Sequence, residues 1–190
     1  MVRTARITGL LYLGLAVSGA LGFLINRPRG LSGTLLTFEL LIVLTQALTA
    51  AGFYLLYHRT DPLSALGIGA FGLVNSVLIL VSAAMLKAGS LPMSDAVWAV
   101  SAVFFGLWLI PMGTAVLRTG LMPRPLGWVL IAGGIGYILN AFLPLDALTV
   151  AASIGEFWTI GYLLLFGVRR TPSTIGPASA PPLPAHPACP

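Results

Sequence analysis

Charge is what this sequence has least of. Only 8% of its 190 residues are Asp, Glu, Lys or Arg, whereas a soluble domain carries about 25% and needs roughly 25–35% on its surface to stay in solution. Ten basic and five acidic residues cannot coat a globule of this size, which excludes a soluble enzyme. Cysteine is nearly absent: the lone Cys189 excludes an intramolecular disulfide and carries no information on redox compartment. Histidine is scarce too, with two in the chain. His186 lies beside Cys189 near the C-terminus, and His58 stands beside Arg59 and Asp61, where an interfacial or capping role fits better than catalysis. Two axial haem histidines and the paired spacings of a metal site are both missing. So are a phosphate-cradling glycine loop and a nucleophile elbow. No metal and no cofactor are expected.

What fills the chain instead is apolar: 57% of residues are hydrophobic. Six uninterrupted apolar runs have spanning length, at residues 7–25, 35–57, 63–86, 96–117, 126–143 and 148–168. Each has the length that crosses about 30 Å of hydrocarbon as a helix. A membrane barrel would alternate polar and apolar residues over segments of about ten, and Leu10 to Val17 does not. The expected fold is therefore all-α: an integral membrane bundle of six transmembrane helices over residues 1–170, with short loops. Break signals separate the runs: Asn26, Pro28 and Gly30; Asp61 and Pro62; Gly89, Ser90 and Pro92; Gly120, Pro123 and Pro125; Pro144 and Asp146. Pro111 falls inside the fourth run and is expected to kink it. From Thr171 onward there are seven prolines and no charged side chain, the composition of a disordered tail over 171–190.

The basic residues sit at span ends rather than in clusters. With six spans, Arg3, Arg6, Arg59, Arg118, Arg124, Arg169 and Arg170 share one side, opposite Arg27, Arg29 and Lys87. That asymmetry places both termini in the cytoplasm. The net charge of +5 then answers to anionic lipid headgroups rather than nucleic acid, which is not expected as a partner. Arg118 and Arg124, around a turn stiffened by Pro123 and Pro125, are candidate headgroup contacts, with topology control as the simpler account. Residues 1–25 also admit a cleaved signal peptide, although an apolar run of this length exceeds the usual 7 to 15 of a signal core.

Small residues recur at every fourth position, as in Gly14, Ser18 and Gly22, in Ala102 and Gly106, and in Ala132 and Gly136. Such spacing lets helix backbones approach closely in lipid, either within one bundle or across a homodimer. Similar glycine-rich segments in spans one and five, and in two and six, fit a parallel duplication or shared composition.

Ionisable groups inside the apolar runs are the sharper signal, because a carboxylate in mid-bilayer costs several kcal/mol. There are two, Glu39 and Glu156, and no Lys or Arg lies within a run. Glu39 falls near the outer boundary; Glu156 lies deeper. Polar residues able to join them in a cavity are Gln46, seven residues along from Glu39, together with Asn75, Asn140, Tyr137 and Tyr162. Such glutamates stay protonated, accept hydrogen bonds from amides and phenols, or bind a proton or cation from outside.

The segment from Phe104 to Phe142 resembles a known family. Phe104, Phe105 and Gly106, then Leu117 to Gly120, then Pro123, Arg124, Leu126 and Gly127, and finally Gly133, Gly136 and Tyr137 are similar to a bacterial family of small six-span membrane proteins. It is named only as a domain of unknown function, numbered four-three-eight-six. Glu156 with Tyr162, Leu163, Leu164 and Gly167 resembles its last span. The likeness runs from about Ala96 to Arg170, and the short connection between spans one and two leaves Glu39 without a counterpart. The resemblance implies the bacterial cytoplasmic membrane and no particular activity.

Three functional readings follow. The first is a binding, transport-accessory or regulatory membrane protein with a small-molecule or protein partner besides the bilayer. The second is a membrane-embedded enzyme acting on a lipid or isoprenoid with Glu156 as acid or base. The third is a structural subunit of a membrane complex. The transport variant of the first requires a polar, water-accessible cavity shared by Glu39 or Glu156 with Gln46, Asn75 or Asn140.

Overall fold

The computed structural model describes residues 2–22, 32–143 and 146–168. All regular structure among them is helical: α1 (Val2–Gly19), α2 (Ser32–Tyr57), α3 (Pro62–Lys87), α4 (Leu91–Thr119), α5 (Arg124–Asn140) and α6 (Val150–Leu165). A 3-10 turn over Asp146–Thr149 leads into α6, and a π turn over residues 20–22 extends α1. The expectations for residues 23–31 and for the tail at 171–190, including His186 and Cys189, lie outside the described residues.

Five helical stretches are long and apolar enough to cross a membrane: Val2–Gly22, Gly33–Tyr57, Pro62–Lys87, Leu91–Thr119 and Ala147–Leu165. The fifth apolar run folds as a helix too, but α5 has 17 residues, about 25 Å at 1.5 Å per residue. It ends at Asn140, three residues before the apolar run does.

The other helix bounds depart from the apolar runs for local reasons. Helix α4 begins at Leu91 rather than Ala96, because Pro92 occupies the first turn, where its fixed φ suits a helix and its missing N–H costs nothing. Pro62 and Pro125 open α3 and α5 in the same way. Helix α1 reaches back to Val2 and takes Arg3 and Arg6 into its first turns. Gly120, at φ 64°, ends α4 in the left-handed region that glycine tolerates. Pro111 lies within α4 without ending it, and the Thr114 hydroxyl donates to the Pro111 carbonyl at 2.9 Å.

Each helix packs against its neighbours in sequence, and α6 returns to α1, so the six close into a ring. The interior is aromatic at its centre. Tyr12 meets Phe53 and Trp108 edge-on at 5.8 and 5.4 Å, and Phe53 meets Trp108 at 6.1 Å. The chain of rings continues through Phe105 to Tyr137, at 5.4 and 5.1 Å, and from Phe53 to Tyr57. Each such pair contributes about 0.5–1.5 kcal/mol beyond its buried area. The outward faces carry Leu10, Leu44, Leu66, Val77, Val100, Trp128 and Phe157, all exposed, a surface suited to a lipid environment.

The small-residue positions are used for packing within the chain. A Cβ on Gly106 would come within 2.6 Å of the Gly134 carbonyl, and one on Gly113 within 2.5 Å of the Gly127 carbonyl. The two pairs, seven residues apart on each helix, bring the α4 and α5 backbones together. Gly14 faces Thr45 of α2, and Gly136 faces the Leu148 carbonyl. Ala132, by contrast, points outward.

Candidate functional site

The apolar faces of α2 and α3 carry polar residues at helical spacing, and folding turns them inward. On α2 the buried stripe runs Glu39, Ile42, Gln46, Thr49, Phe53; on α3 it runs Ile68, Gly72, Asn75, Ile79, Ser82. Because the helices are antiparallel, Glu39 lies at the level of Ser82, and Gln46 at that of Asn75. Val2, the α2–α3 turn and the α4–α5 turn lie together at one end of the bundle, the terminal end.

At the opposite end, Glu39 is 1% exposed rather than turned to an interface. Ser82 donates toward its Oε1 at 3.4 Å and lies 2.9 Å from the Ser94 hydroxyl and 3.1 Å from the Ser94 carbonyl. One glutamate and two serines thus tie α2, α3 and α4 together in a buried polar link. Asn140, also at this end, is half-buried, and its Oδ1 has no partner among the described residues.

At mid-height is a second polar group with a different character. Gln46 is completely buried, and neither its Nε2 nor its Oε1 has a hydrogen-bond partner among the described residues. The same holds for Thr49 Oγ1, Asn75 Oδ1, Tyr12 OH and Trp108 Nε1. Gly72, one helical turn from Asn75, sets the indole: a Cβ there would meet Ala50 at 2.6 Å and Trp108 Nε1 at 3.1 Å. These donors and acceptors come from α1, α2, α3 and α4. Leaving a buried polar group unsatisfied costs about 1–3 kcal/mol, so polar atoms buried in this way call for hydrogen-bonding partners.

Helix α6 adds the carboxylate. Glu156 is half-buried and lies within electrostatic range of the Tyr12 and Tyr137 hydroxyls. Ring closure of α6 on α1 makes this meeting possible. Tyr162 is not part of it: further along α6, its ring meets that of Phe166 in a tilted pair at 5.4 Å.

At the terminal end, Asp61 caps α3 by accepting from the Ser64 N–H at 3.4 Å, and Arg118 Nη1 lies 3.6 Å from its Oδ1. Arg124 is exposed where α5 starts. His58 is half-buried, with Nδ1 3.0 Å from the Leu55 carbonyl and its ring on Tyr54, an end-of-helix role. No three His, Cys, Asp or Glu side chains come together among the described residues.

The structure thus brings Glu156 within electrostatic range of Tyr137 and sets Gln46 level with Asn75, while Glu39 belongs to a separate link. Sequence reading passed over Tyr12, Thr49, Trp108, Ser82 and Ser94. A signal for two of them was present: Tyr and Trp favour the membrane interface, and Tyr12 and Trp108 fall in the middle of apolar runs.

With this geometry in hand, comparison with known proteins bears on its second half. Residues 82–167 match the model of the family described as a domain of unknown function, DUF4386. The DUF4386 match begins at Ser82 and takes in Trp108, Arg118, Tyr137 and Glu156. Tyr12, Glu39, Gln46 and Asn75 lie before it. Comparison with curated proteins and with solved structures found no match.

Proposed function

We propose that this chain is a bacterial cytoplasmic-membrane protein with six spans, both termini inside, that binds a small polar or protonatable ligand in its interior. Its role on this reading is binding, transport-accessory or regulatory. Five spans are carried by length and hydropathy. The sixth is α5, which packs against both α4 and α6; its shortfall of about 5 Å is within what local bilayer thinning accommodates. The cytoplasmic placement of the termini follows the positive-inside asymmetry, with Arg3, Arg6, Arg59, Arg118 and Arg124 at the terminal end and Lys87 at the other.

The observation that carries the ligand reading is the set of polar groups at mid-height. Gln46, Thr49, Asn75, Tyr12 and Trp108 present buried polar atoms with no partner among the described residues, from four helices, and Tyr12 is within electrostatic range of Glu156, a carboxylate with no cation inside the apolar runs. An interior built only for packing would have placed apolar residues there, since a half-satisfied polar network is worse than an apolar core.

Hydroxyl-radical footprinting of the full chain in lipid nanodiscs tests the reading, because radicals formed from bound water oxidise the side chains beside it. Tyr12 and Trp108 should be oxidised well above Phe53, which lies equally deep, and Gln46→Leu with Asn75→Leu should reduce that labelling. Tyr12 and Trp108 protected to the level of Phe53 would mean a dry interior and would overturn the proposal.

A further inference from the structure

A groove of about 490 Å³ lies between α3 and α4 near the terminal end, within the roughly 300–1,000 Å³ that accommodates a drug-sized ligand. Its floor is formed where Gly67 admits Pro111: a Cβ on Gly67 would stand 3.1 Å from the Pro111 ring. Leu66 and Ala70 form one wall and Ile110 the other. Leu66 and Ala70 are exposed, so the groove opens on the outer face of the bundle. This is separate from the interior cluster.

The chemistry along the groove is graded. Away from the terminal end its lining is apolar, with Leu66, Ala70, Phe71, Ile110 and Pro111. Toward the terminal end come two hydroxyls, Ser64 and Thr114, 3.1 Å apart. At the mouth stands Arg118, with its side chain 62% exposed. The Asp61 carboxylate, 7% exposed, lies 3.6 Å from Nη1, too far for a good hydrogen bond. It therefore orients the guanidinium electrostatically and leaves the fork of N–H donors open. Arg59 and Arg124 lie exposed at the same end, so this rim is electropositive.

We propose that the groove holds one acyl chain of an anionic phospholipid, with its phosphate on Arg118. The apolar trough matches the chain, the hydroxyl pair sits at the level of the ester linkage, and the planar guanidinium suits a phosphate better than a point charge would. An apolar protein segment would leave the arginine mouth unmatched, and a free phosphate would leave the trough uncovered.

The full chain, purified in a neutral detergent, can be tested by native mass spectrometry against phosphatidylglycerol and phosphatidylcholine of equal chain length. The native chain should retain phosphatidylglycerol preferentially, and inorganic phosphate should not displace it. Arg118→Gln should weaken retention about tenfold, the worth of one hydrogen-bonded charge. Ala70→Phe, which fills the trough from an exposed position and leaves the core alone, should weaken it similarly. Arg124→Gln, with the same loss of charge, should leave it unchanged. The proposal is overturned if the native chain retains both lipids equally, or if inorganic phosphate competes. It is equally overturned if either Arg118→Gln or Ala70→Phe retains phosphatidylglycerol as the native chain does, or if Arg124→Gln weakens it as much as Arg118→Gln.

Discussion

Gly106 of α4 and Gly134 of α5 face each other backbone to backbone, each leaving room for the other's carbonyl oxygen at 2.6 Å from where a Cβ would stand. Neither position can accept a methyl group unless the helices separate, and Gly113 and Gly127 repeat the arrangement two turns away. In lipid the hydrophobic effect does not press helices together, so close backbone approach provides much of the attraction. Gly106→Ala should therefore cost about 1–3 kcal/mol, as overpacking does, and lower the thermal midpoint in detergent. Gly161→Ala, where nothing lies within 4 Å, should be neutral or gain about 0.5–1 kcal/mol from helix propensity. Equal midpoints for the two variants would refute the claim of close approach.

Ser82 differs from its helical neighbour Ser76 in what its hydroxyl serves. Ser76 donates to the Gly72 carbonyl of its own helix at 2.9 Å, whereas Ser82 reaches Glu39 and Ser94 on two other helices. Ser82→Ala should destabilise by about 1–3 kcal/mol, because it removes a partner from buried oxygens. Ser76→Ala should fall within about 0.5 kcal/mol of the native chain, a spread ordinary for a side chain with only a local bond. Denaturation by increasing fractions of dodecyl sulfate measures both, and a harmless Ser82→Ala would show that the link is not a structural tie.

Asp61 has two tasks that substitution can separate. Asp61→Asn should keep the cap on α3, since Asn caps as well as Asp, and lose only the partly exposed pair with Arg118, worth at most about 1 kcal/mol after solvent screening. Asp61→Ala should lose the cap as well, a further ~1 kcal/mol. Thermal midpoints of the two variants check the order; an Asn variant as unstable as the Ala variant would assign the effect to charge rather than capping.

The two glutamates within the apolar helices should differ in chemical access. Glu156 is half-buried, while Glu39 is sealed at 1% exposure behind Ser82. An apolar carbodiimide added to membranes should therefore modify Glu156 and spare Glu39, as peptide mass spectrometry of the treated chain would reveal. Modification of Glu39 alone would contradict the packing of α2 against α3.

Much of this molecule could be read from its residues. Scarcity of charge excluded a soluble fold, proline and aspartate marked where helices begin, and the period of the helix put Glu39 and Gln46 on one face. The glycine stripes announced close packing without saying which helices would meet. Local signals of this kind depend on neighbours in the chain, and they suffice for the helices themselves.

The site was decided elsewhere. Tyr12 of α1 reaches Trp108 of α4 and the vicinity of Glu156 of α6 only because the ring of helices closes. Ser82 finds Glu39 only because α2 and α3 pack in one register. Among helices that are apolar on every side, hydropathy cannot choose which faces meet. Shape does, through glycines that admit a neighbour and through polar groups that must find partners away from water. The sequence by itself determined a set of apolar helices and the few polar residues placed within them at a cost. Only the tertiary structure decided that Gln46, Asn75, Tyr12 and Trp108 would share one interior while Glu39 stood apart, because that choice rests on contacts between segments far apart in the chain.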